Sequence, residues 1–186
     1  MVVYSGVVGL DIPVSTNGLY LNVVTGANNL PAPGTAGSTV PGWDINLWST
    51  GGLGFFTGAA ALGNGYVLSA PSTAANLAVG TSISGASTFG SGSSAIGNAT
   101  QWNLNSSNNL VGFQFLNEAN GQTHYGWARF SLSTAVNVAP RTLIGYAFES
   151  TPGLAIQAGV VPEPSTFAML GLGVAGLLLA RRRLQS

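Results

Sequence analysis

Very few side chains in this sequence can move a proton or hold an ion. His124 is the only histidine, cysteine is absent, and the carboxylates are Asp11, Asp44, Glu118, Glu149 and Glu163. A hydrolytic triad needs nucleophile, base and acid in one constellation, and Glu118 does precede His124 closely, but no G-x-S-x-G elbow presents a serine. His124 is instead expected as an exposed residue near a hairpin tip. Paired carboxylates for glycoside hydrolysis would have to come from Asp11, Asp44, Glu118 and Glu149. So few titratable groups leave little for acid–base catalysis, and the expectation is a non-enzyme with no cofactor. No metal is assigned either: Asp44-Ile45-Asn46 offers hard oxygen ligands suited to calcium, but only a fragment of a loop. Gly171-Leu172-Gly173-Val174-Ala175-Gly176 matches G-x-G-x-x-G, yet no strand precedes it and no β-α-β unit surrounds it, so a nucleotide site is rejected.

Binding chemistry is richer. Gln114, Tyr125, Trp127 and Arg129 fall on one face of two neighbouring strand segments, and flat aromatic surface beside amide and guanidinium donors suits a sugar platform. The competing reading puts the same face under a second sheet, with the rings as core. A polysaccharide is the partner the first reading would take. Asn98-Ala99-Thr100 and Asn105-Ser106-Ser107 match the glycosylation sequon, a pattern that recurs by chance in an Asn-rich chain.

These residues must be positioned by strands. Val2, Tyr4, Val8, Leu10 and Ile12 alternate onto one expected face, and Leu19, Leu21 and Val23 follow the Asn17-Gly18 turn. Trp43, Ile45 and Leu47 alternate against Asp44, Asn46 and Trp48. Further strands are expected at 53–57, 65–69, 78–83, 110–117, 123–133 and 141–149, with loops at 27–42 and 80–109. A two-residue Asn120-Gly121 turn would set Asn117 opposite His124, Phe115 opposite Gly126, Phe113 opposite Ala128 and Val111 opposite Phe130, an apolar core face. The fold class is all-β, a single sandwich or jelly-roll domain over 1–158.

Charge divides the chain at that point. Only 5% of the 186 residues are charged, and there is no lysine, so nucleic-acid binding by a basic surface is excluded. Residues 45–117 carry no charge at all, leaving hydroxyls and amides to solvate the surface. Residues 1–158 have a net charge of −2 and 159–186 a net charge of +2.

In the second part Pro162-Glu163-Pro164 is followed by an uncharged run at 165–180 and then by Arg181, Arg182 and Arg183. The prolines bar a helix before Ser165, and Ser165 or Thr166 can cap one after it. A helix over 165–180 spans about 24 Å, slightly less than the hydrocarbon core, and the arginines orient it with its C-terminal end cytoplasmic. This order of parts resembles the PEP-CTERM sorting signal of exported bacterial proteins. Tyr125-Gly126-Trp127-Ala128-Arg129-Phe130 and the run from Gly145 through Gly153 are similar to segments that precede such signals. The resemblance implies a recognition motif at Pro162, Glu163 and Pro164, a basic stop at Arg181, Arg182 and Arg183, and an exosortase partner that cleaves the signal. It implies anchorage in the inner membrane before processing, then the cell surface or an exopolysaccharide matrix. Met1-Val2-Val3-Tyr4-Ser5-Gly6 is uncharged and strand-like, so a signal peptide is expected upstream of Met1. The functional expectation is a non-enzymatic surface or matrix protein. The alternative is a carbohydrate-binding module or carbohydrate-active enzyme on the same β fold.

Overall fold

The period-2 pattern is realised as strands throughout the computed structural model, which describes residues 1–30, 40–57, 63–90, 95–97 and 99–161. In chain order the strands are β1 (Val2–Tyr4), β2 (Leu10–Asp11), β3 (Leu19–Leu21), β4 (Ile45–Trp48), β5 (Leu53–Thr57), β6 (Gly65–Ala70) and β7 (Thr73–Ala74). They continue with β8 (Ser82–Ile83), β9 (Phe89–Gly90), β10 (Ala95–Gly97), β11 (Ser106–Asn117), β12 (Gln122–Leu132), β13 (Thr142–Glu149) and β14 (Ile156–Gln157). The fold is all-β, with antiparallel pairing in every sheet. The large sheet runs β1-β13-β12-β11-β6-β7, with β2 also on β13 and β9 also on β6. A second sheet runs β10-β5-β4-β3, and β14 pairs with β8 in a separate ribbon. Among the described residues no helix is long and apolar enough to cross a membrane; the span expected at 165–180 lies outside them.

The two larger sheets share one core. Leu19, Leu21, Ile45, Leu47, Leu53 and Phe55 meet Tyr66, Val111, Phe113, Phe115, Ala128 and Phe130, all buried. Each Leu, Ile, Val and Phe among them contributes about 1.5–3 kcal/mol on leaving water. Phe55 lies at the centre, its ring 5.2 Å from Tyr66, 5.3 Å from Trp102 and 6.0 Å from Phe130. The Tyr66 hydroxyl crosses the core, donating to Phe56 O at 2.9 Å and accepting from Asn46 N–H at 3.1 Å, so one side chain stitches the sheets together. Arg141 is also fully buried. It donates to the carbonyls of Ile12 (3.2 Å), Pro13, Gly52 (2.7 Å) and Val136 (3.0 Å), tying three chain segments to the start of β13. Burial lowers its pKa to about 10, opposed by nearby Asp11.

Three sequence expectations are corrected. The β11–β12 connection is a four-residue loop, not a two-residue turn: Asn117 pairs with Gln122, Phe115 with His124, Phe113 with Gly126 and Val111 with Ala128. The cause is side-chain chemistry. Asn117 Oδ1 accepts from Ala119 N–H and Asn120 Oδ1 from Gln122 N–H, while Asn117 O takes the N–H groups of Asn120 and Gly121. The register moves by two residues, so the inward face stays Val111, Phe113 and Phe115. Second, the opening strand is broken by Gly6 and Gly9, at φ +73° and +61°. Tyr4 therefore packs on Trp127 while Leu10 and Ile12 join the main core. Third, the expected loop at 80–109 contains β8, β9, β10 and a 3-10 turn at Ala99–Gln101.

Candidate functional site

The tail leaves the domain by a short strap across the outer face of the large sheet. After β13 the chain turns at Gly153, whose N–H donates to Thr123 O at 3.0 Å. Ile156 then pairs with Ile83, and Ala158 closes the ribbon with Ala158 N–H to Thr81 O and Gly80 N–H to Ala158 O, both 2.8 Å. Gly159 lies flat on the sheet at φ +69°, where a Cβ would stand 2.8 Å from Leu110 Cδ1 and 3.3 Å from the Arg129 guanidinium. The described chain ends at Val161, so Pro162, Glu163, Pro164, the 165–180 run and Arg181, Arg182 and Arg183 lie outside the described residues.

This strap decides the state of the sequence-expected ligand face. The structure does bring Gln114, Tyr125, Trp127 and Arg129 together: Gln114 and Tyr125 are cross-strand partners, and Trp127 and Arg129 follow on the same face of β12. They are covered. Trp127 is 1% and Tyr125 7% exposed, beneath Leu77, Ile83, Ile156 and Ala158. Phe89 stacks on Tyr125 at 6.0 Å and Tyr4 lies 5.9 Å from Trp127. Gly112 lies opposite Trp127 because a Cβ there would meet Val67, Leu77 and Ile83 within 2.9 Å. Gln114 donates to Gly63 O. No ring face is open for a sugar at Trp127, which is core under the β8–β14 ribbon rather than under the β3–β4–β5 sheet.

His124 is not an exposed tip residue. It is fully buried at the end of the main core, stacked on Phe115 at 5.6 Å and edge-on to Phe148 at 6.5 Å. Its Nδ1 sits 2.7 Å from Glu149 O, an acceptor, so Nδ1 carries the hydrogen and Nε2 accepts from the Asn120 amide at 3.0 Å. His124 shares the inward face of Gly126 and Ala128 in either register, and the two-residue shift sets it opposite Phe115 instead of Asn117.

The carboxylates are dispersed. Asp11 is exposed on β2, and Glu149 accepts Thr151 N–H at 2.9 Å. Asp44 is fully buried, with Oδ2 accepting Val23 N–H at 2.8 Å and Oδ1 lacking a partner. Burial pushes its pKa up to about 8, the Val23 hydrogen bond opposes the shift, and nearby Glu118 adds to it. Glu118 lines a cavity of about 260 Å³ with Asn22, Thr25, Gly42 and Asn117. A larger one, about 320 Å³, lies between the β1–β2 segment and the turn after β3, lined by Val3, Ser5, Val8, Tyr146 and Phe148 among others. Neither cavity is lined by a pair of carboxylates. Among the described residues no three His, Cys, Asp or Glu side chains come together as metal ligands, and Asn46 spends its amide on Asn17 O at 2.8 Å.

Sequence reasoning missed an aromatic row on the outward face of the smaller sheet. Trp43 precedes β4 and turns outward, away from Ile45 and Leu47; it meets Tyr20 edge-on at 4.7 Å and stacks on Phe56 at 5.5 Å, all three half-buried. Alternation at Leu19-Tyr20-Leu21 and Phe55-Phe56 was the available signal for two of them.

Residues 160–183 match the family model of the PEP-CTERM protein-sorting motif. No curated protein and no solved structure matches the chain. The motif begins two residues after Ala158, the last residue bonded into the β8–β14 ribbon, and it holds the Pro-Glu-Pro element, the uncharged run and the three arginines in order. Residues 160–183 thus carry a PEP-CTERM sorting motif, a signal of the exosortase-processed type, directly after the β domain.

Proposed function

We propose that the protein is an exported, non-enzymatic component of the bacterial cell surface or extracellular matrix. Its domain over 1–158 is a β-sandwich, and 159–186 is the sorting signal. The observation that carries the reading is the sorting-motif match at residues 160–183. Within it, Pro162 and Pro164 hold the backbone extended and present Glu163 to an exosortase. Residues 165–180 form a membrane-spanning helix, short enough that Arg181, Arg182 and Arg183 snorkel and the bilayer thins locally. The three arginines keep the C-terminal end cytoplasmic and the domain outside.

The charge-poor surface, closed cores and dispersed carboxylates support a structural or binding role. A second reading, a polysaccharide-binding module, draws on the half-exposed Tyr20, Trp43 and Phe56 row. Intact-mass measurement of protein from the native host tests the main reading. Cleavage near Pro162 to Pro164 is expected, with Glu163→Gln and replacement of Arg181, Arg182 and Arg183 by alanine each giving an uncleaved, membrane-retained form. Full-length native protein, unchanged by either replacement, overturns it.

A further inference from the structure

Five of the eleven exposed large apolar side chains among the described residues stand toward the end where the chain leaves the domain. Val160 and Val161 are 40% and 39% exposed, and Val79, 57% exposed, stands beside Gly159. Leu104 and Val138, 40% and 42% exposed, flank Ser133 just past the end of β12: Asn105 N–H donates to Ser133 O, and the Ser133 hydroxyl donates to Val138 O. Arg129 reaches this end with its guanidinium next to Gly159. Arg129 is seven residues along β12 from Gln122, so this pole is about 23 Å from the hairpin loop. The opposite pole carries Glu118 in that loop and, at the end of β13, Glu149 paired with the Met1 N-terminal ammonium. Asp11 lies at the apolar end too, next to buried Arg141.

Chain length fixes which way this pole faces. Gly159 is pinned to the sheet, and Ser165, where the uncharged run begins, is six residue steps further on. Fully extended they reach about 20–22 Å, so the apolar pole cannot stand far from a bilayer that holds the run. We propose that the domain docks on the lipid surface through this pole while the sorting signal is in place, inserting Val79, Leu104, Val138, Val160 and Val161 at the headgroup level with Arg129 toward lipid phosphates. This rests on the reading of 165–180 as a membrane span. The domain is thereby held flush against the bilayer and presents the Pro-Glu-Pro motif at the depth where a membrane-embedded protease works.

The chain has no cysteine, so single labels are unambiguous. In full-length protein reconstituted into vesicles of phosphatidylethanolamine and phosphatidylglycerol, an environment-sensitive fluorophore is attached at Val79→Cys, Val138→Cys, Leu154→Cys or Leu172→Cys. Leu154 is an apolar control, 54% exposed but at the hairpin pole next to Gly153. Quenching by lipid-borne spin labels, with severalfold protection from aqueous iodide, is expected at Val79, Val138 and Leu172 and not at Leu154. Quenching at Leu172 alone overturns the docking and leaves the anchor standing. Lack of quenching at Leu172 overturns the anchor and the docking with it.

Discussion

Asp44 makes a quantitative demand on stability. Its carboxyl is fully buried, only one of its oxygens is hydrogen-bonded, Glu118 acts on it, and Tyr66 and Tyr146 sense its charge. In the unfolded chain such a group titrates near 3.9, as aspartates ordinarily do. In the folded protein burial, with Glu118 adding, raises this to about 8. Between those values the native state holds a proton that the unfolded state has released, so stability is fully present below the lower pKa and is lost as pH rises toward the upper. Each pH unit costs about 1.4 kcal/mol, so the three units from pH 5 to 8 cost about 4 kcal/mol. With a urea slope of about 2 kcal/mol per molar, the unfolding midpoint should fall by about 2 M over that range. The assay is urea unfolding of the full chain in non-ionic detergent, followed by tryptophan emission at pH 5, 6, 7 and 8. Asp44→Asn keeps an acceptor for Val23 N–H and removes the titration, so its midpoint should be flat. A wild-type midpoint that holds or rises with pH, or a slope that survives in Asp44→Asn, refutes the reasoning.

Trp127→Ala empties a site that is 1% exposed beneath the β8–β14 ribbon and should cost about 3–5 kcal/mol; an equally stable variant would show that the ribbon does not close over the sheet. Gly18 and Gly121 both have positive φ, but a Cβ at Gly18 would lie 2.3 Å from Trp48 Cβ, whereas at Gly121 nothing stands within 4 Å. Thermal melts should therefore show Gly121→Ala destabilised by about 1 kcal/mol and Gly18→Ala by clearly more, and equal losses would refute the packing argument.

The long strands were readable because alternation and burial coincide: Val111, Phe113 and Phe115 face the core whether the hairpin loop has two residues or four. The loop length itself was not, because Asn117 and Asn120 use their side-chain oxygens to build a longer turn around the same Asn-Gly pair. His124 lies on the inward face in either register, and its burial was missed because the sequence did not show that Phe115 and Phe148 carry the core to the hairpin end. The Trp127 face was ambiguous in principle. Period-2 patterning assigns a residue to a face but not what covers it, and the cover comes from two-residue strands too short to leave a pattern. The aromatic row was half legible: Tyr20 and Phe56 follow the alternation, whereas Trp43 leaves it just before β4 begins. The sorting signal was the clearest reading because it is written in linear order and needs no tertiary context.

The order in which strands close has a temporal consequence. β1 and β2 are made first but pair only with β13, and the Trp127 face is sealed only by β14, immediately before the sorting motif. A nascent chain cannot complete either edge until nearly all of residues 1–158 are present. The earliest strands must wait with their pairing groups open through most of synthesis, and the last closing step falls within a few residues of the segment that would halt in the membrane. Folding of the domain and arrest of its tail are therefore neighbouring events along the chain, and a truncation just before Ile156 would leave the outer core unsealed however complete the rest of the domain.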